Sequence, residues 1–452
     1  MLKRLLVTIT LGLQVTVTTG TSLGQGTSAM LSQQNPQSSL SRYFDPIAGM
    51  SVDEAVTYAL ANNGELIALR SEIEAAQAFV KQASLRPNPQ LEIARKEQIK
   101  GPDNDTMIAG MLPLELGGRR SARVLVAQRE LEWKERLLAD QERLLAAEVR
   151  AKFGEALGEM LKLGFTEDLL SATDHGYQLV AARVTEGRTA PLEQNMVLVE
   201  LNRIRSIRES GEGNVEVAML EFRNLIGKSP EEPLRLRGDL DQPLGPSPSV
   251  SVSTEVALRD RPDLKAARAL EMLAEARIVQ ARSEGRIDAS LTGKYELMDF
   301  GFPQRGFNSM GQLVPIHGKF HSVAFGITLN LPVRNRNQGA IEAATAEKAA
   351  ATQRRQFMEV TVRREVASAF ARYQSAARAA EIYRVGVQGQ ANANLAVVRQ
   401  TYELGSKSLL DFIAEQRRYI EVQTGYIEAL VSTYHARVEI ERATASPNLI
   451  KR

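Results

Sequence analysis

Apolar residues recur at helical spacing through most of the chain and switch to strict alternation in two regions. Ser51 opens the first helical stretch: Ser51-Val52-Asp53-Glu54 fits a capping box, serine and glutamate each placed to hold a backbone N–H of the first turn. The pattern runs to about Ala83, with a break near Asn63 and Gly64, and Pro87 and Pro89 end it. The longest stretches run from Arg119 to about Glu186 and from Ala340 to about Leu404. At about 1.5 Å per residue each spans roughly 100 Å. Leu131, Leu138 and Leu145 keep a seven-residue spacing, as do Ile413, Ile420, Ile427 and Tyr434, the seam of a coiled coil. Gly154, Gly158 and Gly164 interrupt the first long stretch and permit bending or close packing. Shorter helices are expected to return over about 190–226 and 408–445.

The alternating regions differ in strength. Ile287, Ala289, Leu291, Gly293, Tyr295 and Leu297 are interleaved with polar residues, and so are Val323, Phe325, Ile327, Leu329 and Leu331. The pattern predicts two strands of about ten residues within 287–331, joined by a loop over about 299–318 rich in Gly, Pro and aromatics. Strands of that length, apolar on one face and polar on the other, suit an outer-membrane barrel. A half-buried hairpin on a soluble domain alternates in the same way. A shorter, weaker hairpin is expected within 90–116, from Gln90–Glu97 and Thr106–Leu116.

These parts occur twice. Ala59–Leu66 matches Ala257–Leu264, and the stretch around Gly187 and Glu193 matches that around Gly405 and Asp411. Matching positions lie 198 residues apart at the first helix, 218 at the glycines and 219 at Pro113 and Pro332, so the second copy carries about 20 extra residues in its hairpin region. The expected division is a signal peptide at 1–29, an extended arm at 30–50, repeat 1 at 51–229, a Pro-rich linker at 230–253, repeat 2 at 254–446 and a tail at 447–452. Gly187 and Gly405 break helical patterns that resume at once, which predicts hairpin tips; Ser408 is placed to cap the helix that follows the second.

Composition narrows the function. A net charge of +2 argues against a nucleic-acid surface. With no cysteine there is no disulfide, thiolate metal site or cysteine nucleophile. Lys3 and Arg4 followed by the apolar Leu5 to Val17 read as a secretory signal, cleaved after Thr27-Ser28-Ala29 or near Gly20–Gly24; a short anchor helix is the competing reading. No catalytic set emerges and no cofactor or metal site is expected. His317 and His321 share the second hairpin loop and are read as a solvated pair before a metal site. Four strands cannot close a barrel, and an open edge in lipid costs several kcal/mol per unpaired group. The chain is therefore expected to be mainly α with a membrane β portion and to assemble with copies of itself.

Several motifs resemble the TolC family of outer-membrane efflux channels over about residues 51–445. They are Asn88-Pro89 before a strand, Leu116 to Arg120 after the first hairpin, Leu331 to Gly339 after the second, and Tyr402 to Asp411. The resemblance implies a homotrimer with a 12-stranded barrel in outer-membrane lipid and a helical tunnel in the periplasm of a Gram-negative cell. It also implies a periplasmic adaptor and an inner-membrane resistance-nodulation-division pump as partners. The stretch Asn335 to Gly339 is similar to the heavy-metal (CzcC-like) branch, which implies cation cargo; Val333-Arg334 departs from the apolar pair more usual there. By tip alignment the resemblance implies that Asp411 stands at the pore constriction. It implies too that Tyr402 and Lys407 bond to Glu193 of a neighbouring coil as a gate lock. Ala414 replaces a second family aspartate. The exposed turn residues Gly187, Pro191, Leu192, Gly405, Ser406, Leu409 and Leu410 are expected to face the adaptor, unless they only shape a tight turn. A periplasmic coiled-coil adaptor, or a channel for drugs or other small molecules, remains the alternative.

Overall fold

The computed structural model describes residues 39–99, 101, 103–240 and 249–450, so the expected signal peptide and the start of the arm lie outside the described residues. The first half runs α1 (Val52–Asn62), α2 (Gly64–Ser84), β1 (Gln90–Glu97), β2 (Asn104–Pro113), α3 (Arg119–Thr185) and α4 (Pro191–Ile226). The second repeats the order: α5 (Val250–Asp260), α6 (Pro262–Glu284), β3 (Asp288–Phe307), β4 (Leu313–Asn330), α7 (Gln338–Glu381), α8 (Gln388–Glu403) and α9 (Leu409–Thr444). The Ser51–Glu54 capping box is formed. Asn63 ends α1 and caps α2, its side chain accepting from the N–H groups of Glu65 and Leu66. At the matching break Arg261 precedes Pro262, the first residue of α6, where a missing N–H costs nothing. Its guanidinium is buried between Asp263 and Glu365 and also donates to the Ala443 carbonyl, tying the break to α7 and α9.

The core lies where α1, α3, α4 and α9 meet, around Phe153, Leu157, Met219, Phe222 and Tyr434. Gly154 faces the Tyr434 ring and Gly158 faces Val431; a Cβ at either would come within 2.4 Å of that side chain. These glycines therefore serve close packing of α3 on α9. The expected tail is packed as well: Pro447–Ile450 forms a short 3-10 turn and Leu449 is fully buried. Arg150 holds that turn by donating to the Asn448 and Leu449 carbonyls while pairing with Asp53. The arm and the linker meet through bridges from Phe44 and Met50 to the buried Leu236.

The strands form one antiparallel sheet in the order β1-β2-β3-β4. Ile93, Ile108, Tyr295 and Val323 make one row across it; Leu91, Gly110, Gly293 and Phe325 make the next; Leu112, Leu291 and Ile327 make a third. This face is open to solvent in the single chain, with Phe325 87% exposed. The opposite face carries Thr292, Lys294, Glu296 and Ser322.

Two expectations are corrected. β3 and β4 have 20 and 18 residues, not about ten, and the expected loop over 299–318 is mostly strand, turning only around Asn308–Gln312. Glycines, prolines and aromatics hide the alternation there, but ladder bonds need only backbone. Pro303 falls within a register shift between Phe302 and Arg305, and Pro315 lies on the outer strand β4, places where a missing donor is tolerated. With β1 and β2 at 8 and 10 residues, the taller hairpin accounts for the extra length of the second half. The second long helix is also not continuous: a π turn over Ile382–Val387 separates α7 from α8. There the Tyr383 ring lies against Gly425 of α9, so close that a Cβ would come within 2.7 Å of the hydroxyl.

Candidate functional site

The tips join α3 to α4 and α8 to α9. Each ends its first helix in a Schellman motif. Gly187 and Gly405 take φ +72° and +77°, conformations that favour glycine, and the N–H groups of Arg188 and Ser406 reach back to the carbonyls of Arg183 and Thr401 at 2.9 Å.

The returning helices start differently. Ser408 caps α9 in a complete capping box: the Asp411 carboxylate accepts from the Ser408 N–H at 3.1 Å and its hydroxyl at 2.8 Å. Those bonds, with the charge of Lys407, hold the Asp411 carboxyl below the usual range. α4 starts with Ala190 and Pro191 and has no side-chain cap. The matching acid, Glu193, instead accepts from the Tyr402 hydroxyl at 3.3 Å, linking the two coils of one chain. Burial and the Glu193 charge push the Tyr402 phenol up, so it remains a donor at any physiological pH. The Tyr402 ring stacks on Phe412 at 5.9 Å, beside Val180, Val197, Leu409 and Ile413.

Of the residues singled out in the sequence, Tyr402 and Glu193 are thus brought together within one chain. Lys407 is exposed and, among the described residues, has no ion pair. Gly187, Pro191, Leu192, Gly405, Ser406 and Leu410 lie on the outside of the turns, whereas Leu409 is packed into the cluster between the coils. Asp411 is exposed at the tip. Glu415, one residue past Ala414, is mostly buried: one carboxylate oxygen pairs with the exposed Arg418 at 3.6 Å and Oε1 is buried without a hydrogen-bond partner. His317 and His321 sit four residues apart on β4, about 13 Å at strand spacing, too far to share an ion. His321 Nδ1 is bonded to the Tyr295 hydroxyl at 2.7 Å. Among the described residues no cluster of three or more His, Cys, Asp or Glu could hold a metal ion.

Sequence reasoning missed a second coil-to-coil link above the tips. Glu200 of α4 is buried, pairs with Arg203 at 2.5 Å and reaches Arg417 of α9 at 2.9 Å. Burial opposes its charge, but the two guanidiniums prevail and its carboxyl lies below the usual range. Beside it Gln416 donates to Thr173 of α3 at 2.8 Å. The signal was present: Glu200 interrupts the apolar stripe Val197, Leu201 and Ile204, and a charge in a buried stripe needs a partner. A cavity of about 370 Å³ lies between these links, lined by Gly176, Val180, Leu395 and Tyr402 among others.

No helix among the described residues is long and apolar enough to cross a membrane. The apolar face that needs covering belongs to the sheet. The cobalt-zinc-cadmium resistance protein CzcC of Cupriavidus metallidurans is 22% identical over 394 residues, 87% of this chain and 89% of CzcC. The crystal structure of CusC superposes with a TM-score of 0.71 at 18% identity, covering 90% of this chain and 95% of that one. The open-state MtrE outer membrane channel of Neisseria gonorrhoeae superposes at 0.68 and 18% identity, covering 89% and 90%. A family model for outer membrane efflux proteins matches residues 55–227 and 254–446, the two halves of the fold. The chain therefore belongs to the outer membrane efflux protein family, as an outer-membrane efflux channel component with a large periplasmic part.

Proposed function

We propose that three copies close one 12-stranded barrel and one tunnel, and that the channel passes heavy-metal cations handed over by an inner-membrane pump and a periplasmic adaptor. The observation that carries the assembly is the sheet: four strands, an exposed apolar face, and outer edges of β1 and β4 that no strand among the described residues covers. Backbone groups on such edges must be paired in lipid, and a second copy supplies the matching edge. From Ile287 to Leu297 the apolar face spans ten residue steps, about 33 Å along the strand and roughly 25 Å in height once tilted, the height of a barrel's lipid band. The mass of the protein in detergent tests this; a stable folded monomer sinks it. The likeness to CzcC supports metal cargo. Deleting the gene should sensitise cells to cobalt, zinc or cadmium; sensitivity to drugs alone would turn the reading toward a drug channel.

The gate belongs to the same proposal. Tyr402 bonded to Glu193 holds the coils of each chain together, Lys407 reaches a carboxylate of the next chain, and Asp411 forms an acidic ring at the constriction. Lys407→Glu with Tyr402→Phe should raise single-channel conductance in planar bilayers and leave the assembly intact; wild-type conductance would remove the lock. The outer turn residues dock the adaptor. Gly405→Asp should abolish export without disturbing assembly, and continued export with the adaptor still cross-linked to the tip would reduce them to turn formers.

A further inference from the structure

Two depressions on the outward face of the sheet lie in line along the strands. The upper one, about 890 Å³, opens where Gly110 and Gly293 are register partners and neither places a side chain on the face. Leu91, Leu112, Leu291, Phe325 and Ile327 wall it. The lower one, about 730 Å³, lies where the strands meet the helices, walled by Leu116, Ile287, Leu331 and Val333, with Arg286 and Arg336 in its lining. Ile287 and Leu331 continue the outward alternation of β3 and β4, so both depressions face the same medium.

The charges at the lower end are unbalanced. Asp288 is taken by Arg119 at 3.2 Å. Among the described residues the Arg286 side chain donates to the Gly117 carbonyl, at 3.2 Å, and pairs with no carboxylate. Among the described residues neither Arg334 nor Arg336 has a carboxylate within ion-pair distance. An apolar cleft edged by unpaired guanidiniums suits a molecule with an anionic head and a hydrocarbon body. The spacing suits it too. Gly293 stands seven residues beyond Arg286, about 23 Å along the strand and about 16 Å in height at a 45° tilt, one leaflet of a core of about 30 Å.

We propose that the two depressions form one glycerophospholipid site in the periplasmic leaflet: an acyl chain lies in the glycine groove and the phosphate bonds to Arg286 and Arg336. The site rests on the barrel reading above, and its leaflet is set by the helices that continue from the same end of the strands. A smooth face of bulky side chains offers a lipid chain nothing to grip; the glycine pair makes a groove, and the arginines fix its register against the head group. Val333-Arg334, where this chain departs from an apolar pair, adds one more cation at the same rim.

The full-length protein, purified in detergent and stripped of lipid, is offered dioleoyl phosphatidylglycerol or a galactosyl diacylglycerol with the same chains. Bound lipid is counted by native mass spectrometry. The expected result is one phosphatidylglycerol per chain, preferred at least about tenfold over the galactolipid, the worth of one charge-assisted contact. Arg336→Gln, at an exposed side chain with no ion pair among the described residues, should weaken retention about tenfold. Gly293→Leu should weaken both lipids without changing the preference. Equal retention of the two lipids, or no change in Arg336→Gln, overturns the site. So does displacement of the lipid by inorganic phosphate alone, which would leave an anion site without a chain groove. Loss of assembly in Arg336→Gln would also overturn it, showing the cleft to be a contact between copies. Failure of the barrel reading looks different: the protein would not insert into vesicles at all.

Discussion

In the first tip the returning helix begins Ala190-Pro191-Leu192-Glu193; in the second it begins Ser408-Leu409-Leu410-Asp411. The turns before them are closed by the same backbone bonds around a left-handed glycine. The third-position acids nevertheless do different work. Asp411 satisfies the N-terminus of its own helix, because Ser408 completes the box. At Glu193 the cap residue is an alanine without a hydroxyl to complete a box, and the carboxylate takes the Tyr402 hydroxyl of the other coil. One residue, serine against alanine at the cap, decides whether the acid is spent locally or between coils. Asp411 can therefore present a carboxylate to a pore only while sharing it with the box.

The largest expected effect tests whether the coils are held above the tips as well as at them. Glu200→Gln leaves Arg203 and Arg417 facing a neutral amide. Arg417 is half in water, so the cost is discounted from the buried-pair range to about 2 kcal/mol. Hydrogen exchange of α4 amides near Glu200 should accelerate roughly thirtyfold. Unchanged exchange would leave the tips as the main link. The pH response follows the same pair. Because the Glu200 pKa is lowered on folding, its contribution is whole above the ordinary glutamate range and is lost only as pH falls through the lowered value.

Gly187→Ala and Gly405→Ala should each cost about 1–2 kcal/mol and, because the backbones match, about the same. Local exchange at the two tips measures both, and clearly unequal costs would show that the turns are not equivalent. Next, Ser408→Ala should cost about 1 kcal/mol of helix α9. Ala190→Ser is the converse experiment: it offers Glu193 a capping partner, so amides at the start of α4 should become protected while conductance rises to that of Tyr402→Phe. Conductance unchanged from wild type would mean that the serine does not compete. The smallest effect is Tyr402→Phe alone, about 1 kcal/mol for one hydrogen bond. Since the phenol pKa is raised, the bond's contribution is whole below the ordinary tyrosine range and disappears only as pH rises through the raised value, so a conductance change near neutral pH would point to another group.

What was legible in the sequence was mostly local. The Ser51 and Ser408 boxes, the break at Asn63 and the glycine tips follow from residues within one turn of each other, and each formed where the pattern placed it. The length of β3 was hidden, because Gly301 and Gly306 carry no face preference while their backbone still pairs, and Pro303 sits in a register shift that the strand passes through. The π turn at Ile382 left no mark, since its neighbours keep helical spacing on either side. At the candidate site, sequence alignment placed Tyr402 and Glu193 near the tips but not in the same chain's embrace. The Glu200–Arg417 pair joins residues 217 apart and needs the packing of α4 and α9 on α3 to be known.

The π turn also has a mechanical meaning. From Gln388 to Glu403 α8 is a rod of about 22 Å at helical rise, whereas its counterpart α3 reaches the first tip as one uninterrupted element. A pivot of 10° at the turn would sweep the free end of that rod through about 4 Å, more than any hydrogen bond tolerates in added length. The two coils are thus unequal levers: one is a strut, and the other has an elbow a few turns above its hand.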